Sequence, residues 1–195
     1  MKTSPNVNLI NGVKIILFQL GNLKKSESLC IISDINTKNL GELFEYVSRK
    51  MKIKTITADE TLSLRSEVLR SGKPLAQCVF EGDKAVTTRH FGAVDEKGTI
   101  VGVVSVYLKD NPLLKQTNTY QIRAMATATN YRGKGLGKAL LSAAEDYAES
   151  QDAELIWANA RSTAMGFYTN SGYKQASKEF IIPEIGSHFL VTKVL

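Results

Sequence analysis

Histidine and proline are scarce in this chain, with 2 and 4 residues in 195, and cysteine is limited to Cys30 and Cys78. Neither histidine has a companion at metal-ligand spacing, so no metal is expected. The two cysteines are separated by 48 positions in sequence and neither has a companion at metal-ligand or redox spacing, so both are expected as buried or idle thiols. Long hydrophobic runs are missing too. The N-terminal "VKIILFQL" is short, contains Lys14 and leads into no small-residue cleavage pattern. A membrane span, a membrane partner and a secretory leader are therefore not expected, and the protein should be cytoplasmic.

Apolar residues make up 43% and charged residues 23%, near the average of soluble globular chains, with no biased tract and no internal repeat. Disorder and fibrous repeats are excluded on that basis. A balance of 25 basic and 19 acidic residues gives +6, which favours anionic ligands. Apart from Arg132, Lys134 and Lys138 the charge is spread out. A nucleic-acid module would show a denser stripe, so no nucleic acid is expected as partner.

The hydrophobic periods give an order of elements. Residues 13–18 and 28–33 read as strands, and Leu40, Leu43, Phe44, Val47 and Met51 follow helical spacing over 37–51. This β-β-α segment, residues 1–51, is marginal for independent stability and is expected as an extension on a domain spanning 52–195. There, a strand at 52–57 leads to a helix at 58–70 stopped by Ser71, Gly72 and Pro74. "TTRHFGAV" and "TIVGVVSVYL" flank the turn "DEKG", and "YQIRAMAT" adds a third strand after the loop at 109–119. A helix over 134–150 places Leu136, Leu140, Ala143, Ala144 and Tyr147 on one stripe. "AELIWANA" follows as a strand parallel to 120–127 by the handedness rule for β-α-β units. A second helix ends at Gly172, and 173–182 with 188–194 close the chain as a hairpin.

Between the strand at 120–127 and the helix lies "NYRGKGLGK", with Gly133, Gly135 and Gly137 at alternate positions. A glycine-rich turn that opens a helix exposes successive N–H groups where the helix contributes about half a positive charge, a cradle for phosphate. The spacing narrows the ligand. A Walker loop would need glycine where Arg132 stands and a hydroxyl where Ala139 stands. A dinucleotide fingerprint would need glycine at Lys138 or at Leu140.

The pattern Arg132-x-x-Gly135-x-Gly137 resembles that of the GNAT superfamily of acyl-coenzyme A-dependent N-acyltransferases. "ANARSTAMGFYTNSGY" resembles the family's second motif, an Asn at a strand end and a Phe-Tyr pair shortly before Gly-Tyr. A looser likeness, in "LRSEVLRSG", "FEGD", "HFGA" and "KEFIIPEIGSHFL", is to an ElaA-like bacterial subgroup. The resemblance covers residues 52–195 and implies an α/β (α+β) fold: a mixed, mostly antiparallel sheet with one parallel pair splayed around acetyl-CoA.

It further implies an N-acetyltransferase that moves an acetyl group from acetyl-CoA to a primary amine by direct attack in a ternary complex. The acceptor would be a small-molecule or peptide amine. A non-catalytic acyl-CoA sensor of the same fold is the competing class, and a homodimer is left open. Met125, Ala126 and Thr127 would pair with the pantetheine arm as an added strand would. Arg132, Gly133, Lys134, Gly135, Leu136, Gly137 and Lys138 would hold the pyrophosphate, with the glycines keeping Cβ atoms away. Asn159 could bind the cofactor's amides or cap the following helix. Tyr168 takes the position that faces the thioester sulfur. For the base, Glu179 and His188 could meet across the closing hairpin, with Glu81, Asp83 and His90 as rivals.

Overall fold

The computed structural model describes residues 52–195, and the backbone of residues 6–10 and 13–17. The chain divides into two compact units, Met1–Val47 and Ser48–Leu195. In the first, β1 (Asn6–Ile10) pairs antiparallel with β2 (Val13–Leu17). The sequence pattern marked the second of these strands and not the first; the strand read at 28–33 and the helix read at 37–51 lie outside the described residues.

The second unit is an eight-stranded sheet: β3 (Lys52–Ile56), β4 (Arg89–Val94), β5 (Ile100–Leu108), β6 (Tyr120–Thr127), β7 (Leu155–Arg161), β8 (Lys174–Gln175), β9 (Phe180–Ile182) and β10 (Gly186–Val194). Their order is β3-β4-β5-β6-β7-β10-β8, with β9 on β10. Every pairing is antiparallel except β6 with β7, which is parallel. This is the mixed, mostly antiparallel sheet that the sequence implied. The "DEKG" turn forms because the Asp95 carboxylate accepts from the N–H groups of Lys97 and Thr99, both at 2.9 Å, while Gly98 takes φ +81°.

Strand β5 is buried from Val101 to Tyr107 because both faces are covered. Val104 and Val106 pack with Leu140, Leu141 and Ala144 of α2 (Leu136–Glu149), whereas Val103 packs with Leu64 of α1 (Ala58–Leu64). Alternation along the strand thus sends neighbours to opposite faces. Helix α1 opens on a capping box in which the Thr57 hydroxyl accepts from Glu60 N–H and Glu60 accepts from Thr57 N–H. The helix read at 58–70 changes character at Arg65 and runs to Leu69 as a π-turn, the kind of irregularity that re-aims a side chain.

The last elements also differ from the sequence reading. The segment read as a helix over 161–172 is a 3-10 turn at Ser162–Ala164 followed by the short α3 (Met165–Thr169). The partner strand read at 173–182 is broken into β8 and β9, since between them Ser177 turns its hydroxyl to accept from Leu190 N–H at 2.9 Å.

Candidate active site

Strands β6 and β7 are in register only at Tyr120–Ile156, Gln121–Trp157 and Ile122–Ala158. Both then continue, to Thr127 and Arg161, without pairing to each other. The sheet therefore opens past Ile122 and Ala158, and the next residues, Arg123 and Asn159, flank the vertex. On its other side β6 carries a bulge: Ser105 pairs with Arg123 and Val103 with Ala126, so Ala124 and Met125 together face Val104. Ala124 adopts φ +54°, a left-handed conformation that costs an alanine about 1–2 kcal/mol. Strained backbone at the mouth of an opening is a mark of a functional segment.

The chain leaves β6 through a 3-10 turn at Thr129–Tyr131 and reaches Gly133 (φ +73°) and Gly135 (φ +80°). A Cβ at either would meet nothing within 4 Å, so what requires glycine there is the backbone angle. Among the described residues no acceptor takes the N–H groups of Gly133, Lys134, Gly135, Leu136, Gly137 or Lys138. The first helical bond is from Ala139 N–H to the Gly135 carbonyl, at 3.1 Å, and no side chain caps the helix. Six consecutive unpaired amides at a helix N-terminus, with Arg132, Lys134 and Lys138 exposed beside them, suit a polyanion such as a pyrophosphate. Arg132 Nε donates to the Thr127 carbonyl at 3.3 Å, which ties the turn to the open strand.

Gly137 has a different reason from the one the sequence suggested. A Cβ there would lie 3.2 Å from the Phe167 ring and 3.5 Å from Met125 Cε, so this glycine admits α3 and β6 against α2. Leu136 is buried in the core, which leaves its N–H as the group it can offer a ligand.

Asn159 is exposed on β7, opposite Leu190 of β10. No side chain caps α3 or the turn before it, so the capping role considered from sequence is not taken up. Tyr168 is buried, with its ring edge-on to Phe167 and Tyr173, both at 5.2 Å between centroids. Burial pushes its hydroxyl up to about 12, and that hydroxyl has no hydrogen-bond partner among the described residues.

The carboxylate–imidazole pair expected on the closing hairpin is not formed. Glu179 is exposed and accepts from the Ser187 hydroxyl, while the buried His188 directs Nδ1–H to the Gly186 carbonyl at 2.8 Å and stacks on Phe180. The cause is register: His188 stands opposite Phe180, and Ser187 opposite Ile181, so Glu179 falls just beyond the paired residues.

Asp83 and His90 are engaged elsewhere, in a buried network that sequence reasoning missed. Arg65 donates through Nη1 to Asp83 Oδ2 at 2.7 Å and through Nη2 to Oδ1 at 3.0 Å, and also to Ser105 Oγ at 2.8 Å. Tyr107 donates to Asp83 Oδ1 at 2.6 Å, and Phe80 N–H to Oδ2 at 2.8 Å. His90 Nε2–H donates to the Asp83 carbonyl at 2.8 Å and Nδ1 lies 2.7 Å from Ser105 Oγ. Because Ser105 Oγ accepts from Arg65, its own proton is free for His90 Nδ1, which fixes the neutral Nε2–H tautomer. Burial holds His90 below the ordinary histidine range. Burial opposes ionisation of Asp83, yet the bonds from Arg65, Tyr107 and Phe80 N–H outweigh it and keep that carboxyl low. The signal for this network was a lone arginine inside the apolar face of "TLSLRSEVL". Glu81 is exposed.

No group of three His, Cys, Asp or Glu able to hold a metal occurs among the described residues, and none of their helices is long and apolar enough to cross a membrane.

Comparison with known proteins agrees with this geometry. The profile of the acetyltransferase (GNAT) family matches residues 55–173. The chain is 32% identical over 145 residues to an uncharacterized N-acetyltransferase, YitI, of Bacillus subtilis, a match covering 74% of this chain and 97% of that protein. Among solved structures, a GCN5-related N-acetyltransferase from Kribbella flavida superposes with a TM-score of 0.60 at 17% identity, over 76% of this chain and 99% of that one. An aminoglycoside 6'-N-acetyltransferase complexed with coenzyme A gives 0.58 at 12% identity, over 73% and 96%. The amide cradle, the opened parallel pair and these matches lead to one conclusion: the chain belongs to the GNAT family of acetyltransferases and is an acetyl-CoA-dependent acyltransferase.

Proposed function

We propose that this protein acetylates a primary amine by direct attack within a ternary complex, acetyl-CoA lying between β6 and β7. The observation that supports this most is the row of six unpaired amides beside strands that part company, since a diphosphate and an extended amide arm need these two features side by side. Acetyl-CoA supplies the activated thioester. Arg132 and the amides from Gly133 to Lys138 hold its pyrophosphate, the main chain of Met125, Ala126 and Thr127 receives the pantetheine arm, and Asn159 reaches it from β7. The N–H near Thr127 stabilises the oxyanion.

Tyr168 faces the departing sulfur. With its hydroxyl at about 12 against a reference thiol of about 8.5, full proton transfer is uphill by about 5 kcal/mol. Tyr168 therefore acts by donating a hydrogen bond to the thiolate. Direct attack needs no acyl-enzyme, and Cys78 is buried and outside the site. An alkylamine is mostly protonated at pH 7, so a proton acceptor is required. The Nδ1–H bond to Gly186 leaves His188 Nε2 as a lone pair, and His188 takes the proton directly or through water; Glu179 orients this hairpin through Ser187. The catalytic domain is assigned to residues 52–195, with residues 1–51 as an N-terminal addition in sequence.

The test is thioester consumption with a broad amine panel, for wild type and Tyr168→Phe. Turnover that Tyr168→Phe reduces supports the proposal. Tight acetyl-CoA binding without turnover on any amine would identify a sensor instead. Oligonucleotide binding with no shift of the melting temperature by CoA would remove both readings.

A further inference from the structure

Phe80 is surrounded by guanidinium groups: Arg65 at 4.7 Å, Arg70 at 5.1 Å and Arg123 at 4.4 Å from the ring centroid. Arg65 is buried and its charge is met by Asp83. Arg70 and Arg123 are half-buried, and among the described residues no carboxylate lies within 4 Å of either guanidinium. The ring returns about 0.5–1 kcal/mol to each cation. Each is thus a partly desolvated cation without an ion-pair partner among the described residues, which a bound oxyanion would supply.

The position of Arg123 connects this cluster to the reaction. It is the first residue past the last parallel pair, Ile122 with Ala158, and precedes the bulged Ala124. The loop between Arg70 and Phe80 also carries Lys73, which reaches Glu184 in the β9–β10 turn at 3.8 Å, so the same loop borders the hairpin that bears His188. The cluster thus stands at the vertex of the opening, on the α1 face, since Arg65 and Phe80 belong to the network beneath α1.

Building on the acetyl-transfer reading above, we infer that Arg70 and Arg123, displayed on Phe80, bind an oxyanion of the acceptor: the amine substrate carries a carboxylate or a phosphate elsewhere in the molecule. Arginine suits this task because its planar fork matches either group with two parallel hydrogen bonds. A polycationic acceptor would be repelled here.

The test uses the full chain saturated with CoA, titrated with pairs of amines that differ in one oxyanion: β-alanine against propylamine, leucine against leucinamide, and phosphoethanolamine against ethanolamine. The expected result is that the anionic member of at least one pair binds at least tenfold tighter, the carboxylate and phosphate pairs telling the two oxyanions apart. Arg123→Gln should remove most of that preference with CoA affinity changed less than twofold, and Arg70→Gln provides a second variant at a half-exposed position should the first fail to fold. Equal affinity within every pair, a preference for the uncharged partners, or a preference that survives both substitutions would overturn the inference while leaving acetyl transfer standing. Failure of the wild type to bind CoA would instead overturn the reading on which it rests.

Discussion

Arg65 on the π-turn and Asp83 in the loop before β4 grip each other through two N–H···O bonds of 2.7 and 3.0 Å, with side-chain exposures of 0% and 2%. Removing one partner leaves a buried charge without compensation, an effect of roughly 3–5 kcal/mol. Asp83→Ala should therefore lose about that much stability in urea unfolding. Replacing both together, as Arg65→Met with Asp83→Leu, should cost less than either change alone, because no stranded charge remains.

Burial lowers the pKa of His90, so between its folded value and the ordinary value near 6.5 the unfolded chain binds more protons than the folded one. Stability should fall as pH drops from about 6.5 toward the folded value and level off below it. Asp83, whose pKa is also lowered in the fold, gives a second loss that begins below about pH 4 and completes as pH falls through its folded value. Melting temperatures across pH 3 to 8 should show both slopes, and His90→Gln should flatten the upper one alone.

Gly133→Ala and Gly135→Ala force φ near +75° on a residue with a Cβ, with open space around it. Each should cost about 1–2 kcal/mol of stability and weaken acetyl-CoA binding, read by calorimetry. Gly137→Ala should act otherwise. Its Cβ would press on Phe167, the neighbour of Tyr168, so kcat should fall more than acetyl-CoA affinity.

Tyr168→Phe deletes a hydroxyl that has no partner among the described residues, so the melting temperature should hold within a few degrees. A hydrogen bond to a charged atom contributes about 1.5–3 kcal/mol, which predicts a kcat roughly ten- to a hundredfold lower with KM for acetyl-CoA little changed. An unaltered kcat would remove Tyr168 from the reaction.

Much of the fold was legible because it rests on local signals. The apolar run "TIVGVVSVYL", the Asp-to-Gly turn before it, and the helical stripe after the glycines each depend on neighbours in the chain, and each became the element expected. The breaks were not legible. Helix α1 gives way to a π-turn at Arg65, where that arginine meets partners from two distant segments: Asp83 of the loop before β4, and Ser105 and Tyr107 of β5. The bulge at Ala124 depends on how β6 meets β5. The Glu179–His188 pairing failed because a register is set by tertiary contacts, and a shift of one residue turns a side chain to the other face.

The sequence by itself determined the turn before α2: glycines at 133 and 135 ahead of a helix permit the positive φ values that the turn adopts. Tertiary structure alone decided that Gly137 serves packing, that Asp83 and His90 are held in a buried network, and that Arg70 and Arg123 meet on Phe80. Backbone conformation answers to the residue and its neighbours, whereas the environment of a charge is fixed only when remote segments close around it.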